Sequence, residues 1–418
     1  MKYNPFQPNG IATFGTFVGR IDELDAVEKS LFQTKNGNPH HFLIEGERGI
    51  GKSSLFFYVE LVASGQVTAM DDSRFEFLTV SVDLNGCTTP LEIVCTIARG
   101  LKTMMGTQEV TRTRAKQVWD FLRGWEILGV SYRAELKNDV IDDARDTLVD
   151  NIVNLCLRMG DTIDGILLLI DEADNPSPDA ELGQFVKLFT ERLTRRGCSN
   201  VVIGMAGLPS VINTLKASHE SSARIFEIYA LQPLEKKERE SVVKNGLALA
   251  NKKNKQNTEI TPDAITMICE LSEGYPHFLQ QFAHSAFAED RDNVIDVHDV
   301  MQGAFKENGA LAQLGQKYFN EMYHARINSD DYRRVLDTMA NHGDDWVARK
   351  TIIEQTPSVS EHVIGNALST LRDKDIILQE DGRRGFYKLP TKSFATWINA
   401  LKSARAEKEA ENEPRLLF

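Results

Sequence analysis

Strand-like runs rich in apolar residues alternate with helically spaced apolar positions through the first half of the chain. The runs are Phe42-Leu43-Ile44, Phe77-Leu78-Thr79-Val80-Ser81-Val82-Asp83, Gly165-Ile166-Leu167-Leu168-Leu169-Ile170, Asn200-Val201-Val202-Ile203-Gly204 and Arg224-Ile225-Phe226-Glu227-Ile228-Tyr229. The fully apolar run 165–170 reads as a buried strand of a parallel sheet, and the others read as strands beside it. Between them, residues 22–31 place Leu24, Val27 and Leu31 on one helical face. Further helices are expected over 90–104, 139–157 and 179–196. Strands alternating with helices of this length predict a parallel sheet with right-handed crossovers. Beyond Leu231 the pattern changes, and residues 236–308 read as helical throughout, with no strand-like run. Residues 332–339, 347–355 and 359–372 read as three more helices. Ile376-Ile377-Leu378-Gln379 and Phe386-Tyr387-Lys388-Leu389 then flank Glu380-Asp381-Gly382-Arg383-Arg384-Gly385. Three short helices followed by a hairpin form a winged-helix pattern.

The expected fold is therefore α/β: a parallel sheet, then an all-helical lid, then a winged helix. The expected boundaries are 1–230, with an insertion at 105–160, then 231–310, 311–402 and a charged tail at 403–418. The insertion carries a helix near 112–122, a possible hairpin at 125–132 and the cations Lys116, Arg123 and Arg133. A packing insert and a DNA-contacting finger both fit it.

Chemistry enters at Gly46-Glu47-Arg48-Gly49-Ile50-Gly51-Lys52-Ser53, which satisfies G-x-x-x-x-G-K-[ST] between a strand and the helical run Leu55-Phe56-Phe57-Tyr58-Val59. This pattern resembles the phosphate-binding loop of P-loop NTPases. Gly46, Gly49 and Gly51 let successive N–H groups turn toward phosphate oxygens, and the helix start, with Lys52, Ser53 and Ser54, adds partial positive charge. Lys52 would reach the β- and γ-phosphates, and the Ser53 hydroxyl would ligate Mg2+. The run 165–170 ends in Asp171-Glu172. Acids at the carboxyl end of a central strand stand where ligands bind in open α/β folds. Asp171 would complete the Mg2+ shell, and Glu172 would orient or deprotonate the attacking water.

Length and composition limit the rest. A chain of 418 residues is expected to form two or three domains. With 42% hydrophobic and 26% charged residues it reads as soluble and globular. No apolar run is long enough for a membrane span. Met1-Lys2-Tyr3-Asn4-Pro5 has no apolar signal core, so a cytoplasmic protein is expected. Cys87, Cys95, Cys156, Cys198 and Cys269 show no C-x-x-C spacing, which points to reduced thiols rather than disulfides or zinc. The net charge of −12 neither supports nor excludes a nucleic-acid partner, because phosphate contacts depend on local cations.

Together these features resemble AAA+/STAND-type P-loop ATPases, a group that includes archaeal-type and origin-recognition-like ATPases. The resemblance covers residues 17–397. It is carried by Phe17-Val18-Gly19-Arg20, both phosphate motifs, Leu231-Gln232-Pro233-Leu234, Gly274-Tyr275-Pro276 and the terminal Ser393-Phe394-Ala395-Thr396-Trp397. It implies ATP with Mg2+, an adenine pocket lined by Val18 and Gly19, and Pro276 of the lid packed near the base. It also implies a phosphate-sensing position at His277, where such proteins usually place arginine; lid packing is the other reading. Gly204-Met205-Ala206-Gly207 lacks the polar sensor usual after that strand. Arg224 stands where an arginine finger is often presented to a neighbouring subunit, with Arg192, Arg195 and Arg196 as rivals.

The expectation is an ATP-driven switch that forms nucleotide-dependent homo-oligomers and gates a partner. Double-stranded DNA is one candidate, held through Arg372, Arg383 and Arg384. Against it, residues 311–402 hold thirteen lysines and arginines to twelve acids, which is not a basic footprint. The alternative is a signalling or defence ATPase whose winged helix packs internally and whose partner is an effector protein. A subunit that uses ATP only to assemble is a third reading.

Overall fold

The computed structural model describes residues 2–11, 17–86, 88–107, 138–374, 376–380 and 382–412, with backbone only at 105–107, 138–140, 161 and 404–412. Cys87, the expected helix and hairpin at 112–132, and Lys116, Arg123 and Arg133 lie outside the described residues. The chain divides into two compact units, Gly19–Gln232 and a second comprising Met1–Val18 with Pro233–Phe418.

In the first unit the order is α1 (Ile21–Lys35), β1 (His41–Glu45), α2 (Lys52–Ala63), β2 (Phe77–Asp83), α3 (Pro90–Thr107), α4 (Asn138–Met159), β3 (Gly165–Asp171), α5 (Leu182–Arg195), β4 (Val201–Gly207), α6 (Val211–Ser218) and β5 (Phe226–Ala230). The five strands form one parallel sheet in the order β2-β3-β4-β1-β5. Asp83 pairs with Asp171, and Glu45 with Gly207, so these strands end together on one edge. Strand β3 is buried along its length apart from Asp171, which explains its lack of polar alternation. Ile166, Leu168 and Ile170 join the core built on α3, α4 and α5, while Leu167 and Leu169 point to the other face. Gly204 is required in β4, because a Cβ there would lie 2.4 Å from the Phe42 ring.

The second unit contains α7 (Lys236–Lys253), β6 (Glu259–Ile260), α8 (Pro262–Ser272), α9 (Pro276–Glu289), β7 (Val294–Ile295), α10 (Val297–Phe305) and α11 (Ala310–Leu314). The chain continues through widened helical turns at Gly315–Phe319 and Glu321–Ala325. It then forms α12 (Asp330–Ala340), β8 (Val347–Ala348), α13 (Arg349–Gln355), α14 (Glu361–Asp373), β9 (Leu378–Gln379), β10 (Phe386–Lys388) and α15 (Lys392–Asn412). Strands β8, β10 and β9 make a small antiparallel sheet behind helices α12 to α14. Among the described residues, no helix is long and apolar enough to cross a membrane.

Several expectations are corrected here. The stretch 236–308 is not purely helical: β6 and β7 pair in parallel, with Glu259 N–H donating to Asn293 O at 2.9 Å and Thr261 N–H to Ile295 O at 3.0 Å. Two-residue strands are too short to produce a readable period. Residues 347–348 pair as a strand before α13 begins. The N-terminal segment packs with the helical unit rather than with the sheet. Phe6 is buried in that unit's core, Lys2 pairs with Asp290 at 2.8 Å, and the His284 ring bonds Phe6 O at 2.9 Å. One continuous core also runs through the expected lid and winged helix, joining Leu279 and Phe282 to Phe319, Phe394 and Trp397. The Glu273 carboxylate caps α15 by accepting the Lys392 N–H at 2.6 Å and the Ser393 N–H at 2.5 Å.

Candidate nucleotide-binding site

The site is built where β1 gives way to α2. Gly46 N–H donates to Gly207 O at 3.2 Å, which ties the start of the loop to the end of β4. A Cβ on Gly46 would lie 2.8 Å from Ile50 Cγ2, so the loop closes tightly over the buried Ile50 side chain. Gly49 and Gly51 adopt φ +80° and +102°, values that side chains with a Cβ rarely tolerate. Gly51 is also the N-cap of α2 and brings no side chain to cap it. The first N–H groups of the helix are thus left for a ligand.

Lys52 follows at once. Its Nζ donates to Gly46 O at 2.7 Å and Glu47 O at 3.1 Å, which folds the ammonium over the loop. Burial holds its pKa below the ordinary lysine value, opposed by Asp171, Asp174, Glu172 and Glu47. The Ser53 hydroxyl donates to Asp171 Oδ2 at 2.7 Å across 118 residues of sequence. Ser54 lies half-buried in the same first turn. A hydroxyl and a carboxylate oxygen side by side are hard oxygen donors of the kind Mg2+ takes, so the donor set fits that ion.

Glu172 sits at φ +54°, a left-handed conformation unusual for glutamate. Its N–H donates to Asp171 Oδ1 at 2.8 Å, and its exposed carboxylate accepts from Asn175 Nδ2 at 3.1 Å. Asp174 Oδ1 accepts the Leu208 N–H at 2.8 Å, joining this loop to the end of β4. Three contributors were not singled out from sequence. Asp83 stands opposite Asp171, and its pKa is raised by burial and then by the Asp171 charge. Its signal is an acid ending an apolar strand, as in β3. Asn175 and Asp174 act through a loop whose shape no pattern reveals.

The remaining expected residues are distributed as follows. Gly19, at φ +77°, begins the first unit just before α1. Val18 packs on the core of the second. Pro276 opens α9 as its first residue, after Gly274 at φ +86°. The His277 ring meets Tyr318 edge-on with centroids 5.2 Å apart, and its buried Nε2 has no hydrogen-bond partner. Burial, and then Lys317, lower its pKa to about 4, so it is neutral and suited to packing. The end of β4 is buried and apolar through Met205 and Ala206.

Arg224 lies exposed in a short turn before β5 and makes no ion pair among the described residues. Its rivals are engaged along α4 and α5. Arg192 reaches Asp142 and Asp146 at 3.5 Å, Arg196 reaches Asp146 at 3.0 Å and Asp150 at 2.8 Å, and Arg195 approaches Glu191 at 3.7 Å.

Arg372 near the end of α14, with Arg383 and Arg384 between β9 and β10, lines one groove of about 500 Å³ with Leu378, Gln379 and Glu380. Arg372 is held by Asp373 at 2.7 Å and Gln379 at 3.0 Å. Arg383 lies 3.6 Å over the Phe386 ring, with Glu380 at 3.5 Å. Arg384 is exposed.

No protein-family model matches the chain. It is 24% identical over 402 residues, 93% of this chain and 90% of the relative, to an uncharacterised helix-turn-helix-type transcriptional regulator of Methanocaldococcus jannaschii. Among solved structures it is similar to a Walker-type ATPase of Pyrococcus abyssi, with TM-score 0.57 and 16% identity over 94% of this chain and 99% of that one. It is equally similar, at TM-score 0.57 and 12% identity, to the ORC2 protein of Aeropyrum pernix solved with ADPNP and ADP, over 98% of this chain and 99% of that one. The chain therefore has the fold of the origin-recognition-like AAA+ ATPases, a parallel α/β sheet followed by a helical unit.

Proposed function

We propose that this chain binds and hydrolyses ATP, and that its nucleotide state governs engagement of double-stranded DNA through the C-terminal groove. The observation that carries the reading is the 2.7 Å Ser53–Asp171 contact. It joins the phosphate-loop serine to the strand-end acid beside a loop with two left-handed glycines.

In this reading the triphosphate displaces Lys52 from the Gly46 and Glu47 carbonyls, and the ammonium turns to the β- and γ-phosphates. The amides from Gly49 to Ser53 take the phosphate oxygens. When bound, Mg2+ neutralises β- and γ-oxygen charge, and Ser53 and Asp171 would hold it. Glu172 accepts a proton from a water whose oxygen attacks the γ-phosphorus. The bond to the bridging oxygen breaks, its electron pair leaves with ADP, and the proton passes to the departing phosphate. Asn175 steadies the Glu172 carboxylate. Arg224, exposed and without an ion pair among the described residues, would serve a second copy of the chain as a finger.

DNA engagement is supported by the three arginines sharing one groove and by the likeness to the helix-turn-helix-type transcriptional regulator of M. jannaschii. Calorimetry with ATP tests the core of the reading: Lys52→Ala should abolish binding, and unchanged affinity would refute it. Glu172→Gln should bind ATP normally, stop turnover and accumulate an ATP-dependent oligomer on light scattering. Normal hydrolysis by that variant removes Glu172 from the chemistry.

A further inference from the structure

Arg20 is a charged side chain that the reaction does not use, yet it is almost wholly buried. Its side chain is 7% exposed, and its backbone adopts φ +65° directly after Gly19 at +77°. A left-handed arginine is costly, so the surrounding fold must hold it in place. Nη1 lies 3.3 Å from Glu23 Oε1, and Nη2 donates to Ile50 O at 3.0 Å. Ile50 is the residue between the two left-handed glycines of the phosphate loop, and its side chain is fixed in the core at 1% exposure.

A trans peptide directs its C=O and the following N–H to opposite sides of one plane. Holding the Ile50 carbonyl toward Arg20 therefore turns the Gly51 N–H the other way. Gly49 and Gly51 can rotate freely on either side, so the loop itself does not fix the plane of this peptide. We propose that Arg20 is a positioning residue for the phosphate loop, orienting the Ile50–Gly51 peptide so that its N–H meets the nucleotide's phosphate chain. A guanidinium suits this task because it keeps its charge when buried and can bond a carbonyl and a carboxylate at once. Aiming an amide in advance spares the ligand the cost of ordering the loop.

This inference rests on the nucleotide reading above, and its test separates the two. Fluorescent analogues of ATP and AMP would be titrated into wild type, Arg20→Met, Arg20→Lys and Glu23→Gln, with thermal unfolding of each. Arg20→Met should lose roughly tenfold or more in ATP affinity, the scale of one charge-assisted hydrogen bond, while AMP binding changes less than about twofold. Arg20→Lys, which can still donate to Ile50 O, should recover part of the loss. Glu23→Gln should keep the wild-type ratio of ATP to AMP affinity. If Arg20→Met fails to fold, Arg20→Lys carries the comparison, with a smaller but selective loss for ATP. Equal losses for ATP and AMP, or an unchanged ATP affinity, would overturn the inference. So would a Glu23→Gln effect as large as that of Arg20→Met, because the ion pair would then be the cause. A wild type that binds neither nucleotide brings down the nucleotide reading, and this inference with it.

Discussion

Replacing Glu172 by glycine and, in parallel, by alanine isolates the strain stored at the end of β3. Glu172 holds φ +54°, and its nearest support is an exposed Asn175 amide 3.1 Å from its carboxylate. A residue with a Cβ is disfavoured in the left-handed region by about 1–2 kcal/mol, and glycine escapes that cost. Glycine's extra freedom in the unfolded chain returns about 0.4–1 kcal/mol. Both variants lose the Asn175 bond and the charge, so those effects cancel between them. The glycine variant should therefore be the more stable of the two by roughly 0.5–1 kcal/mol, a melting difference of about 1–4 °C for a unit of this size. Outside such a position, alanine would be the stabler choice. Differential scanning calorimetry without nucleotide measures the difference, and phosphate release should be lost in both. An alanine variant as stable as the glycine variant would show that the strand end is unstrained. Turnover in either would show that no carboxylate is needed there.

Acid should weaken the first unit through His41, whose Nδ1 accepts the Ile203 N–H at 3.1 Å and whose pKa burial, and then His40, lower from 6.5 to about 4. The unfolded chain binds the proton more readily. The contribution is complete above pH 6.5 and disappears as pH falls toward 4, on the order of 3 kcal/mol. Urea unfolding followed from pH 7 to 4 should show the decline, and His41→Asn should flatten it; a wild type equally stable at both ends would contradict the argument. If DNA is the partner, Arg383→Ala with Arg384→Ala should reduce the slope of log affinity against log salt by about 2. An unchanged slope, or no wild-type gel shift at low salt with ATP, removes the groove from DNA binding.

Much of the sheet was legible because a strand buried on both faces has no polar residues to obscure it. Strand β3 is the clearest case, running from Gly165 to Asp171 with only the terminal acid partly exposed. The shape of the loop at 46–53 was legible because the motif sets glycine at fixed spacing, and Gly49 and Gly51 do take positive φ. Arg20 belongs to the Phe17–Arg20 motif, but the carbonyl it bonds lies thirty residues away, which spacing along one segment cannot show. The N-terminal segment is attached by Phe6 and a few hydrogen bonds to residues beyond 250, and a single buried aromatic in so short a stretch has no period. Arg192 and Arg196 looked like candidate fingers only because their acidic partners on α4 lie about fifty residues earlier in sequence.

The core of the second unit limits how a nucleotide signal could reach the C-terminal groove. Phe278 of the lid and Phe319 of the winged helix are each 3% exposed, with ring centroids 6.1 Å apart. Swinging the winged helix away from the lid would uncover both rings and strip the Glu273 carboxylate of its two N–H donors. At about 2 kcal/mol for each large apolar side chain, the uncovering alone costs roughly 4 kcal/mol. Couplings between binding sites are typically about 1–3 kcal/mol. A nucleotide therefore cannot easily drive that separation, and lid and winged helix should respond as one body. The chain passes between the two units only at Val18–Gly19 and Gln232–Pro233. At the first crossing Gly19, at φ +77°, is followed by Arg20, whose guanidinium holds the phosphate loop. In the proposed switch, a change in that loop would have a direct covalent route to the body carrying the groove.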